Sequence, residues 1–267
     1  MPDPKAIFTG TASYYRKYRR PYQSSLFKDI ADYFHLDGQG KLLDIGCGTG
    51  ELTVPLASYF QTAIGLDPNS EMVKEAKLRA TENGVTNVTW VIDRAENIDA
   101  TYGPLRLTTS GVSFHWMDRK TVLQKIYDLT EKGGGMAIVG EGSPVRGKNK
   151  TEPWKAKRQE LIIKYLGPER RAGNELHKAF IPDKEPFETA ILASAFRESE
   201  RKSYEYETRR SIDEIVGFLW STSYANRTLF GESVEAFEQE LRAELLTLVP
   251  DGIFVESGKT ELYLLQK

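Results

Sequence analysis

One cysteine, three histidines and no long apolar run set the first limits on this chain. A lone Cys47 leaves no partner for an intramolecular disulfide and no cysteine cluster for a metal, which fits a reducing compartment. No stretch approaches the roughly 20 apolar residues that a membrane helix needs, and Met1-Pro2-Asp3-Pro4-Lys5 lacks the apolar core of a signal peptide. The expectation is a soluble cytoplasmic protein with no membrane partner and no metal. Charge of one sign is also missing, because 36 basic and 38 acidic residues leave a formal charge of -2. That balance gives no general attraction to a polyanion, so no nucleic-acid partner is expected and a neutral small molecule is easier to accommodate. Internal repeats and low-complexity tracts are absent. The 267 residues suit one large domain, or a domain with an inserted subdomain, at about 150 residues each, and they can bury a full core.

What is present is organised around Leu42-Leu43-Asp44-Ile45-Gly46-Cys47-Gly48-Thr49-Gly50. Lys41 to Ile45 reads as a buried strand, and three glycines at alternate positions then punctuate it. Leu52, Leu56 and Tyr59 recur at helical spacing, so Glu51 to Phe60 is expected to be a helix. Glycine lets the backbone turn sharply and lets a ligand lie on the main chain beside the positive end of that helix. A packing turn with no ligand gives the same pattern. A second apolar strand, Thr62 to Leu66, ends in Asp67, at about the interval of roughly 20 residues at which doubly wound sheets place a ribose-binding acid. Nicotinamide enzymes prefer G-x-G-x-x-G, but here Glu51 stands where the third glycine belongs, and a glutamate repels a pyrophosphate.

From Lys41 onward strands and helices alternate, which argues a parallel α/β sheet with crossover helices. After the second strand come a helix over Asn69 to Asn83, a strand over Val88 to Asp93 and a strand over Leu105 to Ser110. A helix from Asp118 to Glu131 is expected to end at Lys132-Gly133-Gly134-Gly135, with Met136 to Val139 as strand five. Residues 1–40 are read as an N-terminal lid segment and 41–142 as the α/β core. Prolines and mixed charge mark 143–200 as an inserted cap with helices near Trp154 to Tyr165 and Pro186 to Ala195. Residues 201–267 complete the core through a strand at Tyr204 to Thr208, helices at Ile212 to Trp220 and Val234 to Leu248, and a strand at Glu261 to Leu265.

The first motif resembles that of the class I S-adenosylmethionine-dependent methyltransferases almost residue for residue over Leu43 to Gly50. The likeness is closest to the small-molecule group that includes the trans-aconitate methyltransferase-like enzymes. It extends to Tyr14-Tyr15-Arg16-Lys17-Tyr18-Arg19-Arg20-Pro21, to Gly65-Leu66-Asp67-Pro68-Asn69-Ser70-Glu71-Met72, to Arg94-Ala95-Glu96, to His115-Trp116-Met117-Asp118 and to Ser221-Thr222-Ser223-Tyr224. It implies a Rossmann-like sheet in the order 3-2-1-4-5-7-6 with strand 7 antiparallel, and S-adenosylmethionine as cofactor.

The same resemblance implies roles for named residues. Asp44 organises the methionine ammonium, or else caps the glycine loop; Gly46, Cys47 and Gly48 give the backbone approach. Asp67 accepts the ribose hydroxyls, with Pro68 and Met72 beside it, while Asn69 suits a helix cap equally well. At the adenine site relatives carry an aspartate immediately before the alanine. This chain has Arg94 there, which cannot accept a hydrogen bond, with Asp93 one place earlier, so Ala95 N–H is the firmer contact. Gly111 and Val112 pass the methionine chain. Tyr18 and Arg19 are placed over its end, unless the N-terminal cations form a solvated face with the tyrosines on the core. Arg106, where relatives begin strand four with an acid, is read as structural.

The implied reaction is an in-line methyl transfer to O, N or an acidic C of a small organic acceptor, a carboxylate or secondary metabolite, with no metal required. His115 is the candidate general base or substrate-positioning group, since imidazole's ordinary pKa near 6.5 suits proton transfer at neutral pH. Tyr14, Trp116, Trp154, Trp220 and Tyr224, with Phe180 and Phe218, are candidate pocket walls or core, and His177 a surface residue. Two other classes stand against this reading: a non-catalytic binding protein on the same fold, and a nicotinamide oxidoreductase.

Overall fold

The computed structural model describes residues 8–141, 152–169, 171–172, 175–176 and 187–267. The first elements are helices α1 (Ala12–Tyr18) and α2 (Ser24–Tyr33), strand β1 (Lys41–Ile45) and the one-turn α3 (Thr53–Leu56). Strand β2 (Thr62–Leu66), α4 (Ser70–Glu82), β3 (Val88–Val91), β4 (Leu105–Gly111), α5 (Arg119–Leu129) and β5 (Thr130–Glu141) follow. Beyond them lie α6 (Pro153–Leu166), a short ladder of Arg171–Ala172 with Glu175–Leu176, and α7 (Phe187–Leu192). The chain closes with β6 (Arg197–Ser211), α8 (Ile212–Trp220), α9 (Val234–Leu248) and β7 (Ile253–Gln266).

The seven strands form one sheet in the order β3-β2-β1-β4-β5-β7-β6. Strands β1 to β5 pair in parallel and β7 runs antiparallel to β5, as expected for the Rossmann-like methyltransferase sheet. Strand β1 is central because it is apolar on both faces. Leu42 joins the cluster of Leu26, Ile30, Leu107 and Leu264, while Leu43 and Ile45 join that of Leu66, Val122, Ile126 and Leu265. Alternation puts Asp44 on the face of Leu42, and register sets it beside Gly65 of β2 and Thr109 of β4.

Packing divides the chain into two units. One comprises Pro21–Glu141, Pro182–Tyr204 and Thr260–Lys267; the other comprises Met1–Arg20, Gly142–Ile181 and Glu205–Lys259. The stretch read as a lid over residues 1–40 is thus divided after Arg20. Helix α2 belongs to the sheet unit because Leu26 and Ile30 point inward as one apolar stripe, and Phe34 just beyond it joins the same cluster. The expected cap is divided too, with residues 182–204 counted in the sheet unit. In the other unit Trp154, Leu161, Trp220, Phe230, Phe237, Leu241 and Phe254 form the core of α6, α8 and α9. Among the described residues no helix is long and apolar enough to cross a membrane.

Two expectations from the sequence are corrected. The run Lys132 to Gly135 does not end a helix: α5 stops at Leu129, and the glycines lie inside β5, where pairing with β4 slips between Leu105↔Thr130 and Leu107↔Gly135. A Cβ on Gly134 would lie 2.6 Å from the Arg106 carbonyl oxygen, and one on Gly135 would lie 2.0 Å from that of Leu265. These glycines permit close backbone approach at a bulge. The helix expected over Glu51 to Phe60 is also shorter, one turn of α followed by a 3-10 turn at Ala57–Tyr59. Thr53, Val54 and Pro55 in succession are poor helix formers.

Candidate functional site

The carboxyl ends of β1, β2 and β4 carry the candidate site, all of it within the sheet unit. After Ile45 the chain turns through Gly46, Gly48 and Gly50 at φ of 61°, 54° and 84°, the left-handed region that side chains resist. Two of these glycines also make room. A Cβ on Gly46 would lie 2.6 Å from Ser113 Cβ, and one on Gly50 would lie 3.3 Å from the Trp90 ring. Gly48 differs, since a Cβ there meets nothing closer than Glu51 Oε2 at 3.6 Å. Its surroundings leave space above the main chain, which is what a ligand lying on the backbone needs.

Asp67, 8% exposed, ties the turn to β2. Its Oδ2 accepts the Gly48 N–H at 3.0 Å and its Oδ1 accepts the Asn69 N–H at 2.8 Å, while the Cys47 N–H bonds the Leu66 carbonyl at 3.0 Å. A carboxylate has about four acceptor positions, so these two bonds leave room for a pair of hydroxyls. Burial pushes Asp67 up to about 6, against the pull of the two N–H donors and helped by the Glu51 charge. Asn69 takes the capping role: its Oδ1 accepts from Glu71 N and Met72 N at the start of α4, and Met72 is buried beneath it.

Asp44 is 1% exposed. It accepts the Thr53 hydroxyl at 2.5 Å and the Thr109 hydroxyl at 2.8 Å. Burial pushes it up to about 7, the two hydroxyls oppose this, and Glu51 adds to it. Cys47 is buried, and burial followed by the Asp67 and Asp44 charges raises its thiol, so it is a packed residue rather than a nucleophile.

Sequence reasoning missed the side chains that hold these acids and the turn. Thr53 and Thr109 flank Asp44, and Trp90 of β3 packs over the face of Gly65, where a Cβ would lie 2.4 Å from its ring. Arg79 of α4 donates Nε to the Thr49 carbonyl at 2.8 Å and Nη2 to Glu51 Oε1 at 2.8 Å. The hydroxyls Thr108, Thr109 and Ser110 in succession within a strand buried over that run, and a cation three positions after inward Ala76 and one before Ala80, were the signals for Thr109 and Arg79.

At the expected adenine position Asp93 Oδ1 accepts from Arg94 N at 2.7 Å and from Asn97 Nδ2 at 2.6 Å, and Arg94 pairs with Glu96 at 3.3 Å. Ala95 is buried and opens a 3-10 turn. At the end of β4, Val112 has φ 49°, a rare value for a β-branched residue, held by its N–H on the Val139 carbonyl at 2.8 Å. Beside it Ser113 Oγ donates to the Ile45 carbonyl at 3.0 Å, which ties the Gly111 turn to β1. His115 is exposed on the Phe114–Trp116 turn, its ring 4.7 Å from that of Trp116. Arg106 bonds the Phe34 carbonyl at 2.7 Å and is structural.

The remaining candidates belong to the other unit. Tyr14 stacks on Tyr18 at 6.3 Å, and Tyr18 lies against Gly217, where a Cβ would be 2.3 Å from its ring. Arg19 lies over Tyr15 and Phe218 and donates Nε to Ser221 Oγ at 2.9 Å. That bond joins the N-terminal tyrosine-arginine motif to Ser221-Thr222-Ser223-Tyr224. Trp154 and Trp220 are seated in the core at 4% and 3% exposure, and Tyr224 packs partly buried against the same cluster. Phe180 and His177 lie outside the described residues.

Residues 42–134 match a family described as a methyltransferase domain. A protein of Dictyostelium discoideum named as a methyltransferase is 26% identical over 220 residues, 81% of this chain and 76% of its own length. An uncharacterized RNA methyltransferase of Nostoc is 35% identical over 74 residues, 28% of this chain and 16% of its own length. Among solved structures, an S-adenosylmethionine-dependent methyltransferase from Thiobacillus denitrificans, in complex with S-adenosyl-L-homocysteine, superposes with a TM-score of 0.53. That likeness covers 100% of this chain and 99% of the other at 17% identity, and is one of fold.

Proposed function

We propose that this chain, a class I methyltransferase by its domain over residues 42–134 and its sheet order, methylates O, N or an acidic C of a small organic acceptor. Its cofactor is S-adenosylmethionine. The observation that carries the reading is the pair of bonds from Asp67 to Gly48 N and Asn69 N, which sets an acceptor-rich carboxylate against an open glycine. Glu51 stands where the dinucleotide fingerprint has its third glycine, which disfavours a nicotinamide cofactor.

When bound, the cofactor supplies a methyl carbon on a positively charged sulfur, open to in-line displacement. The chain's own groups hold and orient. Asp67 takes the ribose hydroxyls, Ala95 N–H serves the adenine ring, and ionised Asp44 holds the methionine ammonium. Gly111 and Val112 fix the backbone that the methionine chain passes, and His115 receives the proton of a hydroxyl or amine acceptor as it attacks. A carboxylate acceptor needs no such step.

A small acceptor is supported by the formal charge of -2, which gives no pull on a polyanion. The short match to an RNA methyltransferase supports the other acceptor class. The test uses methyl-labelled cofactor with a small-molecule extract and, separately, with total RNA. Label in the small-molecule fraction alone is expected; label in RNA overturns the acceptor assignment, and no label with either favours a binding protein without turnover.

A further inference from the structure

The glycine turn has a problem that its own sequence does not solve. Three left-handed glycines give it many alternative conformations, and the one-turn α3 supplies little helical scaffold behind it. Thr49 and Glu51 are both held from α4, through a guanidinium that reaches across 30 positions of sequence to the Thr49 carbonyl. The Arg79 Nη2 group also lies 3.4 Å from the Thr49 hydroxyl, and that hydroxyl donates to Glu51 in turn. The guanidinium and the Glu51 carboxylate are 24% and 14% exposed, so the pair is more shielded than a surface ion pair. The helix that carries Arg79 begins at the Asn69 cap, two residues after Asp67. One rigid element therefore anchors both the ribose acid and the far side of the turn.

We infer that Arg79 is a positioning residue: its fork on Thr49 O and Glu51 holds Gly48 to Gly50 in the ligand-ready shape and neutralises Glu51 beside Asp44 and Asp67. The inference rests on the cofactor reading given above. A lysine cannot reproduce it, because two parallel donors in a fixed plane are required. Without the fork the turn samples shapes that do not bind, and apparent affinity falls by the fraction of time spent in them.

The test measures S-adenosylhomocysteine affinity and thermal unfolding for the wild type, Arg79→Lys, Arg79→Met and Glu51→Gln, with hydrogen exchange of residues 46–51 in the ligand-free proteins. Arg79→Met is expected to bind about 10-fold more weakly at temperatures where it is fully folded. Its turn amides should exchange faster, and Arg79→Lys should recover only part of both effects. Unchanged affinity and unchanged turn exchange in Arg79→Met would overturn the inference while leaving the methyltransferase reading intact. If the wild type fails to bind, the cofactor reading falls, and exchange in the ligand-free proteins still decides whether Arg79 orders the turn. Should Arg79→Met unfold, turn exchange in ligand-free Glu51→Gln decides, since that variant removes one arm of the fork and the exchange readout does not depend on the charge that Glu51 places on Asp44 and Asp67.

Discussion

Thr109 Oγ1 donates to Asp44 Oδ1 at 2.8 Å, from β4 to β1, at the register position that sets these two residues side by side. With Thr53 on the other oxygen, Asp44 is held in one orientation inside the sheet. Replacing Thr109 by Val keeps the shape and removes one donor to a buried carboxyl. Stability should fall by about 1–3 kcal/mol, read by chemical denaturation above pH 8, where the carboxylate is ionised. Equal stability of the variant at that pH would mean the hydroxyl does not support the charge.

The role proposed for the same acid predicts that cofactor binding depends on pH. Asp44 and Asp67 lie at about 7 and about 6, above the ordinary 3.8, so the folded protein holds protons that the unfolded chain has released. Their contribution to stability is therefore fully favourable below about pH 4, declines as pH rises toward 7, and is flat above. With Asp44 on the ammonium as proposed, binding is expected to run the other way, because that contact needs the ionised form. Affinity for S-adenosylhomocysteine should fall by up to about 10-fold per pH unit below 7, and Asp44→Asn should flatten that slope while weakening binding at pH 8. A wild-type affinity constant between pH 5.5 and 8 would contradict the ammonium assignment.

Gly48 and Gly65 separate ligand clearance from packing. Ala at Gly48 meets no protein atom closer than 3.6 Å, so stability should fall only by the backbone cost at φ 54°, about 1 kcal/mol, while cofactor affinity falls more steeply. Ala at Gly65 drives a methyl to within 2.4 Å of the Trp90 ring, so that variant should lose about 1–3 kcal/mol of stability. Thermal unfolding and ligand titration of the two variants check this pairing. Similar profiles for both would show that Gly48 has no special relation to a ligand.

His115 is tested by kinetics on a hydroxyl or amine acceptor. His115→Ala should lower turnover by about 100-fold or more at neutral pH with cofactor affinity nearly unchanged, and higher pH should restore part of the rate. Near-normal turnover in His115→Asn would end its role as a base and leave it a positioning group.

These residues also show how far the sequence could be read. Strand β1, the helices Ile212–Trp220 and Val234–Leu248, and the sheet order followed from local periodicity, glycine placement and the motif's likeness to known methyltransferases. The positions of Asp44 at the end of β1, Gly48 in the turn after it and Asp67 at the end of β2 were legible because local sequence sets each of them. Thr109, Trp90 and Arg79 were not, since each acts through a contact that only the folded sheet creates. The run Lys132 to Gly135 looked like a helix stop because glycine serves helix ends and strand bulges alike, and only its closeness to Leu265 and Arg106 distinguishes them. The N-terminal tyrosines and Arg19 illustrate the same limit: Arg19 is bonded to Ser221, a partner about 200 residues away.

Whether Asp67 and the glycine turn form the S-adenosylmethionine site is decided by titration calorimetry on Asp67→Ala. Removing the carboxylate withdraws a charged acceptor from the ribose and the anchor of the Gly48 N–H together. The wild type should bind S-adenosylhomocysteine at one site per chain, and the variant should bind it more weakly by at least about 1.5–3 kcal/mol while remaining folded. Equal affinity in the two proteins, or no binding by the wild type, would contradict the account.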